Sequence, residues 1–141
     1  MKSLILTITT LLLSTVTFSQ DHYIKIITEG ATILVKDEVD EKTQLTFLAG
    51  YKTFGINKGV TYEVISSSRV TQDSLTIQSV SFDTTGDKEI DTTLSFCGVG
   101  GYIDTIEYYS PHGDGVLDVM GVSYVTRKEY KEITKNVPKS K

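Results

Sequence analysis

Apolar and polar residues alternate along this chain in short bursts, and they almost never recur at helical spacing. Residues 22–28 carry Tyr23, Ile24, Ile26 and Ile27, and residues 32–36 carry Ile33, Leu34 and Val35. Glu29-Gly30 between them is a turn signal. Residues 37–43 are acidic and polar and read as a loop or hairpin end, followed by two β-rich runs, 44–49 and 51–55, split by Gly50. Asn57-Lys58-Gly59 marks a turn before the alternating run 60–66. Residues 74–82 alternate again, with Leu75, Ile77, Val80 and Phe82 as buried candidates once a register slip after Ile77 is allowed. Strand-like runs return at 92–96, 106–109 and 119–125. Ile, Val, Thr, Tyr and Phe dominate these bursts, and they fit a pleated, half-buried surface. Short runs of this kind between turn residues predict an all-β protein: an antiparallel sandwich, roll or barrel.

The C-terminal residues carry two readings. Thr126-Arg127-Lys128-Glu129 fits a capping box, with Tyr130, Ile133 and Val137 following at spacings of three and four and Pro138 as the stop. That pattern is a short C-terminal helix. Residues 122–126 also read as a strand that simply continues.

The N-terminal end departs from the alternation. Met1-Lys2-Ser3 precedes an apolar, threonine-rich run through Leu13, and Thr17-Phe18-Ser19 closes it in small-x-small form. This is the pattern of a secretory signal peptide, residues 1–19, cut after Ser19 or one residue later. The run is too short and too rich in Thr and Ser to span a bilayer, which takes about 20 mainly apolar residues. The expected product is exported, periplasmic or secreted, with one β domain over 20–137 and a basic tail over 138–141. About 120 residues are enough to bury a core without covalent staples. Cys97 is the single cysteine, so no intramolecular disulfide exists and packing must hold the fold. A lone exported thiol is expected to be buried.

Charge adds a polarity along the chain. The formal net charge is −4, which argues against a nucleic-acid partner. Residues 83–118 hold eight acids and one base, Lys88, whereas residues 127–141 hold six bases and two acids. This reads either as cation binding followed by a surface-binding tail, or as a solvated loop region and a frayed terminus.

One internal repeat stands out. Phe82-Asp83-Thr84-Thr85-Gly86-Asp87-Lys88-Glu89-Ile90-Asp91 aligns without gaps on Tyr109-Ser110-Pro111-His112-Gly113-Asp114-Gly115-Val116-Leu117-Asp118. Each copy is an acidic turn between two strand-like runs. The spacing Asp83-x-Thr85-x-Asp87-x-Glu89-x-Asp91 resembles the start of an EF-hand-like calcium loop, the type also found in dockerins and thrombospondin type 3 repeats. The resemblance implies Ca2+ ligands from Asp83, Thr85, Asp87, the Glu89 carbonyl and Asp91. It departs from the family at Lys88, where a glycine belongs, and at Leu94, where a bidentate acid belongs. The second copy keeps Gly115 as its turn glycine and offers Asp114 and Asp118; neither copy is complete, but side by side the two could share one ion. Turns rich in Gly and Asp also arise with no metal, because Asp bonds its own backbone and Gly tolerates positive φ.

Catalytic chemistry finds little to stand on. The histidines are His22 and His112. Cys97 before Gly98-Val99-Gly100-Gly101 suggests a thiol nucleophile with His112 as its base, and Asp87/Asp91 or Asp114/Asp118 a glycosidase-like carboxylate pair. No G-x-S-x-G or H-E-x-x-H motif occurs. Eight tyrosines, among them Tyr102, Tyr108, Tyr109 and Tyr124, suit protein or glycan binding as well as half-buried strand positions. The expected function is that of an exported, non-enzymatic β module, calcium-stabilised, that binds a protein or glycan. The alternative is an exported inhibitor or immunity-type protein that blocks an enzyme with a protruding loop such as 110–115.

Overall fold

A computed structural model describes residues 22–38, 41–50, 54–68, 71–72, 75–76, 78–99 and 102–139. The signal-peptide reading (1–19), the run at 51–53, Ile77 and Gly100-Gly101 lie outside the described residues. The chain forms one antiparallel nine-stranded sheet that curls into a half-barrel, with one short helix. Its strands are β1 (His22–Thr28), β2 (Thr32–Glu38), β3 (Glu41–Ala49), β4 (Val60–Glu63), β5 (Ser66–Ser68), β8 (Ser79–Phe82), β9 (Thr92–Cys97), β10 (Thr105–Ser110) and β11 (Gly113–Tyr124). They lie in the order β4-β3-β2-β1-β11-β10-β9-β8-β5, while β6 (Thr71–Gln72) and β7 (Leu75–Thr76) pair only with each other.

Two bent segments produce the curl. The first half of β11 pairs with β10, from Ser110↔Gly113 to Thr105↔Asp118. Its second half pairs with β1, and the register shifts between Ile27↔Gly121 and Thr28↔Val119. Met120 is therefore the extra residue of a bulge, which bends a strand and sharpens its twist. The bulge lets Val119 and Val122, three residues apart, both reach the core. On the other side β4 and β5, the two ends of the sheet order, are consecutive in the chain. The Val64 N–H donates to the Thr43 carbonyl (2.9 Å), and the next N–H, from Ile65, donates to Ser81 (2.8 Å). One step of the chain thus crosses from one half-sheet to the other.

The core lies in the concavity. Ile24, Ile33, Leu45 and Phe47 from the first half-sheet meet Val80, Phe82, Leu94 and Ile106 from the second. Phe47 sits at the centre, with ring centroids 6.1 Å from Phe54, 5.9 Å from Tyr62 and 6.1 Å from Phe82. Strict alternation produces this: the burial of β9 runs buried, half-buried, buried over all six residues.

A second cluster occupies the opposite face of the first half-sheet. Tyr23, Leu34 and Val125 are covered there by Tyr130 of helix α1 (Arg127–Thr134). The helix starts as its sequence requires: the Glu129 N–H donates to the Thr126 hydroxyl (3.1 Å), and the Thr126 N–H donates to the Glu129 carboxylate (3.3 Å). The helix ends at Thr134, before the expected stop at Pro138, because the chain turns to run beside β4. There the Pro138 carbonyl accepts from the Thr61 N–H (3.1 Å). The rival reading of 122–126 as a continuing strand ends at Tyr124.

Candidate functional site

The two acidic turns fold differently. The first joins β8 to β9 and spans residues 83–91, and its carboxylates serve the loop's own backbone. Asp83 accepts from the N–H groups of Thr85 (2.8 Å), Gly86 (2.9 Å) and Lys88 (2.6 Å) and from the Thr85 hydroxyl (3.0 Å). Partial desolvation pushes the Asp83 carboxyl up, but these four bonds outweigh it and hold the group at about 2. Asp91 accepts from the Thr84 N–H on both oxygens (3.1 and 3.0 Å) and from the Thr84 and Thr92 hydroxyls (2.8 and 2.7 Å). Asp87 accepts from the Glu89 N–H (2.9 Å), and Lys88 takes the positive φ, 69°, where calcium loops have glycine. Glu89 is exposed.

The second turn is short. Ser110 pairs directly with Gly113, so Pro111-His112 alone forms the hairpin tip, with Gly113 at φ 130°. Asp114 and Asp118 do not belong to it: they stand on strand β11 opposite Tyr109 and Thr105. Gly115, expected as a turn glycine, is also on the strand. A Cβ there would lie 2.3 Å from the Tyr108 hydroxyl oxygen, so the missing side chain makes room for the Tyr108 ring. Among the described residues no group of three or more His, Cys, Asp or Glu side chains comes together that would hold a metal ion, and no calcium site is seen.

Two of the three candidate catalytic pairs are also separated. Cys97 pairs with Thr105 at one end of β10, and His112 follows Ser110 at the other. Five strand residues place them on the order of 17 Å apart. Cys97 is half-buried on the outer face of β9, where the expectation was burial. Asp114 and Asp118 are four strand residues, roughly 13 Å, apart, beyond the ~9.5 Å upper limit for a glycosidase pair. The exposed tip at 110–113 lies beside Gly55. A Cβ on Gly55, whose φ is 66°, would meet the His112 ring at 2.2 Å. His112 and Gly55 line a shallow pocket of ≈ 330 Å³ with Gly50, Ile56, Asn57 and Lys58.

A broader surface emerges on the outside of the second half-sheet. Leu94, Phe96, Ile106 and Tyr108 point into the core, so the alternate residues of β9, β10 and β11 point outward. Glu107, Asp114 and Asp118 stand there among Thr and Ser hydroxyls, with Tyr109, Val116 and Met120 exposed at 49%, 60% and 70%. The Tyr109 hydroxyl donates to Glu107 (3.4 Å). The Glu107 charge, desolvation and the charge of Asp114 hold the Tyr109 phenol above its ordinary value. At the bulge, Met120 borders a pocket of ≈ 380 Å³ lined also by Tyr102, Ile103 and Val122. The sequence signal for this face was the alternation Asp114-x-Val116-x-Asp118-x-Met120. Assigning the two acids to a turn hid it.

The chain matches no family model, no curated protein and no solved structure.

Proposed function

We propose that this chain is an exported, non-enzymatic β module that acts by binding a protein through the outer face of β9, β10 and β11. The observation that carries the reading is an asymmetry. The outer face of the first half-sheet is closed by the chain's own helix through Tyr130, whereas the described residues put no element over Tyr109, Val116 and Met120. Exposed aromatic and apolar side chains within a rim of acids and hydroxyls form a surface suited to protein contact. The separation of Cys97 from His112, and of Asp114 from Asp118, supports a binding role over a catalytic one. Photo-crosslinking in the producing cell tests it: p-benzoylphenylalanine in place of Val116 or Met120 is expected to give one discrete protein adduct. The same residue in place of Lys58, on another surface, is expected to give none. No adduct at either face position, or equal adducts at all three, would overturn the proposal.

The calcium part of the reading has its own test. A hard cation needs six to eight oxygens, and the oxygens of Asp83 and Asp91 already face hydrogen-bond donors. Melting curves with millimolar calcium and with chelator are therefore expected to coincide. A rise of several degrees with calcium, abolished by Asp87→Ala, would return the ion to the fold.

A further inference from the structure

We infer that the partner of this face is a second copy of the chain, docked head to tail through the basic side that carries helix α1. The inference rests on the reading that the outer face of β9–β11 binds protein. Its ground is charge complementarity between two surfaces of one molecule. Strands β8, β9, β10 and β11 contain no lysine or arginine. Their outer face presents Glu107, Asp114 and Asp118 around Val116 and Met120. The helix side reverses this composition. Lys128, Lys131 and Lys135 are exposed there, beside Arg127 and against Glu132 and a Glu129 engaged in the capping box. Ile133, 37% exposed, supplies an apolar contact among them.

The two surfaces face away from each other. One lies outside the first half-sheet and the other outside the second, with the shared core between. A copy therefore cannot satisfy its own acidic face with its own helix, and opposite charges on opposite sides align successive copies in one direction. Such a contact is heterologous: each copy uses one surface and leaves the other open, so association continues beyond a pair. The sequence carried the same polarity, acids over 83–118 and bases over 127–141, and the fold places its two ends on opposite sides.

Sedimentation of the exported chain tests this. Its average mass is expected to rise with concentration to more than twice the monomer mass at about 0.01 M salt and to fall back to one chain at about 1 M, where charges are screened beyond ~3 Å. The double variant Asp114→Asn, Asp118→Asn neutralises the acidic surface, and Lys131→Gln, Lys135→Gln neutralises the basic one. Each alone is expected to remain monomeric with an unchanged far-ultraviolet spectrum. Mixed in equal amounts, they are expected to form a one-to-one pair and nothing larger, since each retains one intact surface. An unmodified chain that stays monomeric at low salt, assembly insensitive to salt, or variants that fail to pair when mixed would overturn the self-docking. A discrete adduct between Val116 and a different protein in the crosslinking experiment would still stand in that case, so the two readings fail separately.

Discussion

At the scale of single residues, Asp83 shows how a side chain chosen for one chemistry can perform another. Its spacing from Asp87 and Asp91 is that of calcium ligands, but a carboxylate two or three residues before free N–H groups also closes its own turn. That local solution is the one observed. The consequence is a pH dependence with a definite sign. The folded carboxyl sits at about 2, below its ordinary 3.8, so it stabilises the fold above about pH 4. That contribution is lost as pH falls through about 2, because the proton then binds the unfolded chain first. Asp83→Asn is expected to lower the melting temperature modestly at neutral pH, since the loop is exposed to solvent. The gap between variant and parent should close over the window from about pH 4 to about pH 2. Melting curves at several pH values decide it, and a gap constant across that window would mean that the loop does not favour the charged form. The residue types were legible in the sequence. The choice between metal and backbone was not, because both use the same short spacings.

At the scale of elements, β11 holds most of what the sequence concealed. Asp114-Gly115 is a strong turn dipeptide, and reading it so moved Asp114 and Asp118 off the strand. The turn that forms is three residues earlier, at Pro111-His112, where proline fixes its own φ and Gly113 supplies the unusual one. Gly115 is retained for a long-range reason instead, the approach of Tyr108 across the β10–β11 pair, which no local pattern reports. Gly115→Ala is accordingly expected to cost about 1–3 kcal/mol, since the added methyl group has to displace a buried ring. Gly121→Ala on the same strand meets nothing within 4 Å and Gly121 has no positive φ, so the change is expected to stay within about 0.5 kcal/mol. Chemical denaturation of the two variants separates the cases. Equal costs would show that strand propensity, and not the Tyr108 contact, sets the requirement for glycine. Helix α1 lay at the opposite extreme of legibility: the Thr126–Glu129 box is complete within four residues, and it forms as written.

At the scale of the whole molecule, the all-β character was visible because alternation is a local property, whereas the curl was not. The half-barrel depends on β1 finding β11 almost a hundred residues away, and on the one-step crossing at Val64-Ile65. Neither leaves a signature in a window of ten residues. The same long-range logic governs the helix. Its eight residues are too few to persist alone, so docking must hold it, and the docking reduces to one ring. Tyr130 is 6% exposed, and its ring centroid lies 4.5 Å from that of Tyr23. Tyr130→Ala is expected to cost about 3 kcal/mol, the scale of removing a large buried aromatic group. Thr126→Ala, which removes only the cap, is expected to cost about 1 kcal/mol. Ile133→Ala, on the exposed side, should change stability by less than about 0.5 kcal/mol. That ordering, measured by denaturant unfolding, identifies docking as the reason the helix exists. If Thr126→Ala costs as much as Tyr130→Ala, the helix is held by its own cap. If Ile133→Ala does, the helix lies on the sheet by a different face. In that last case the exposed lysines would no longer all point away from the core, and the basic side of the molecule would have to be redrawn.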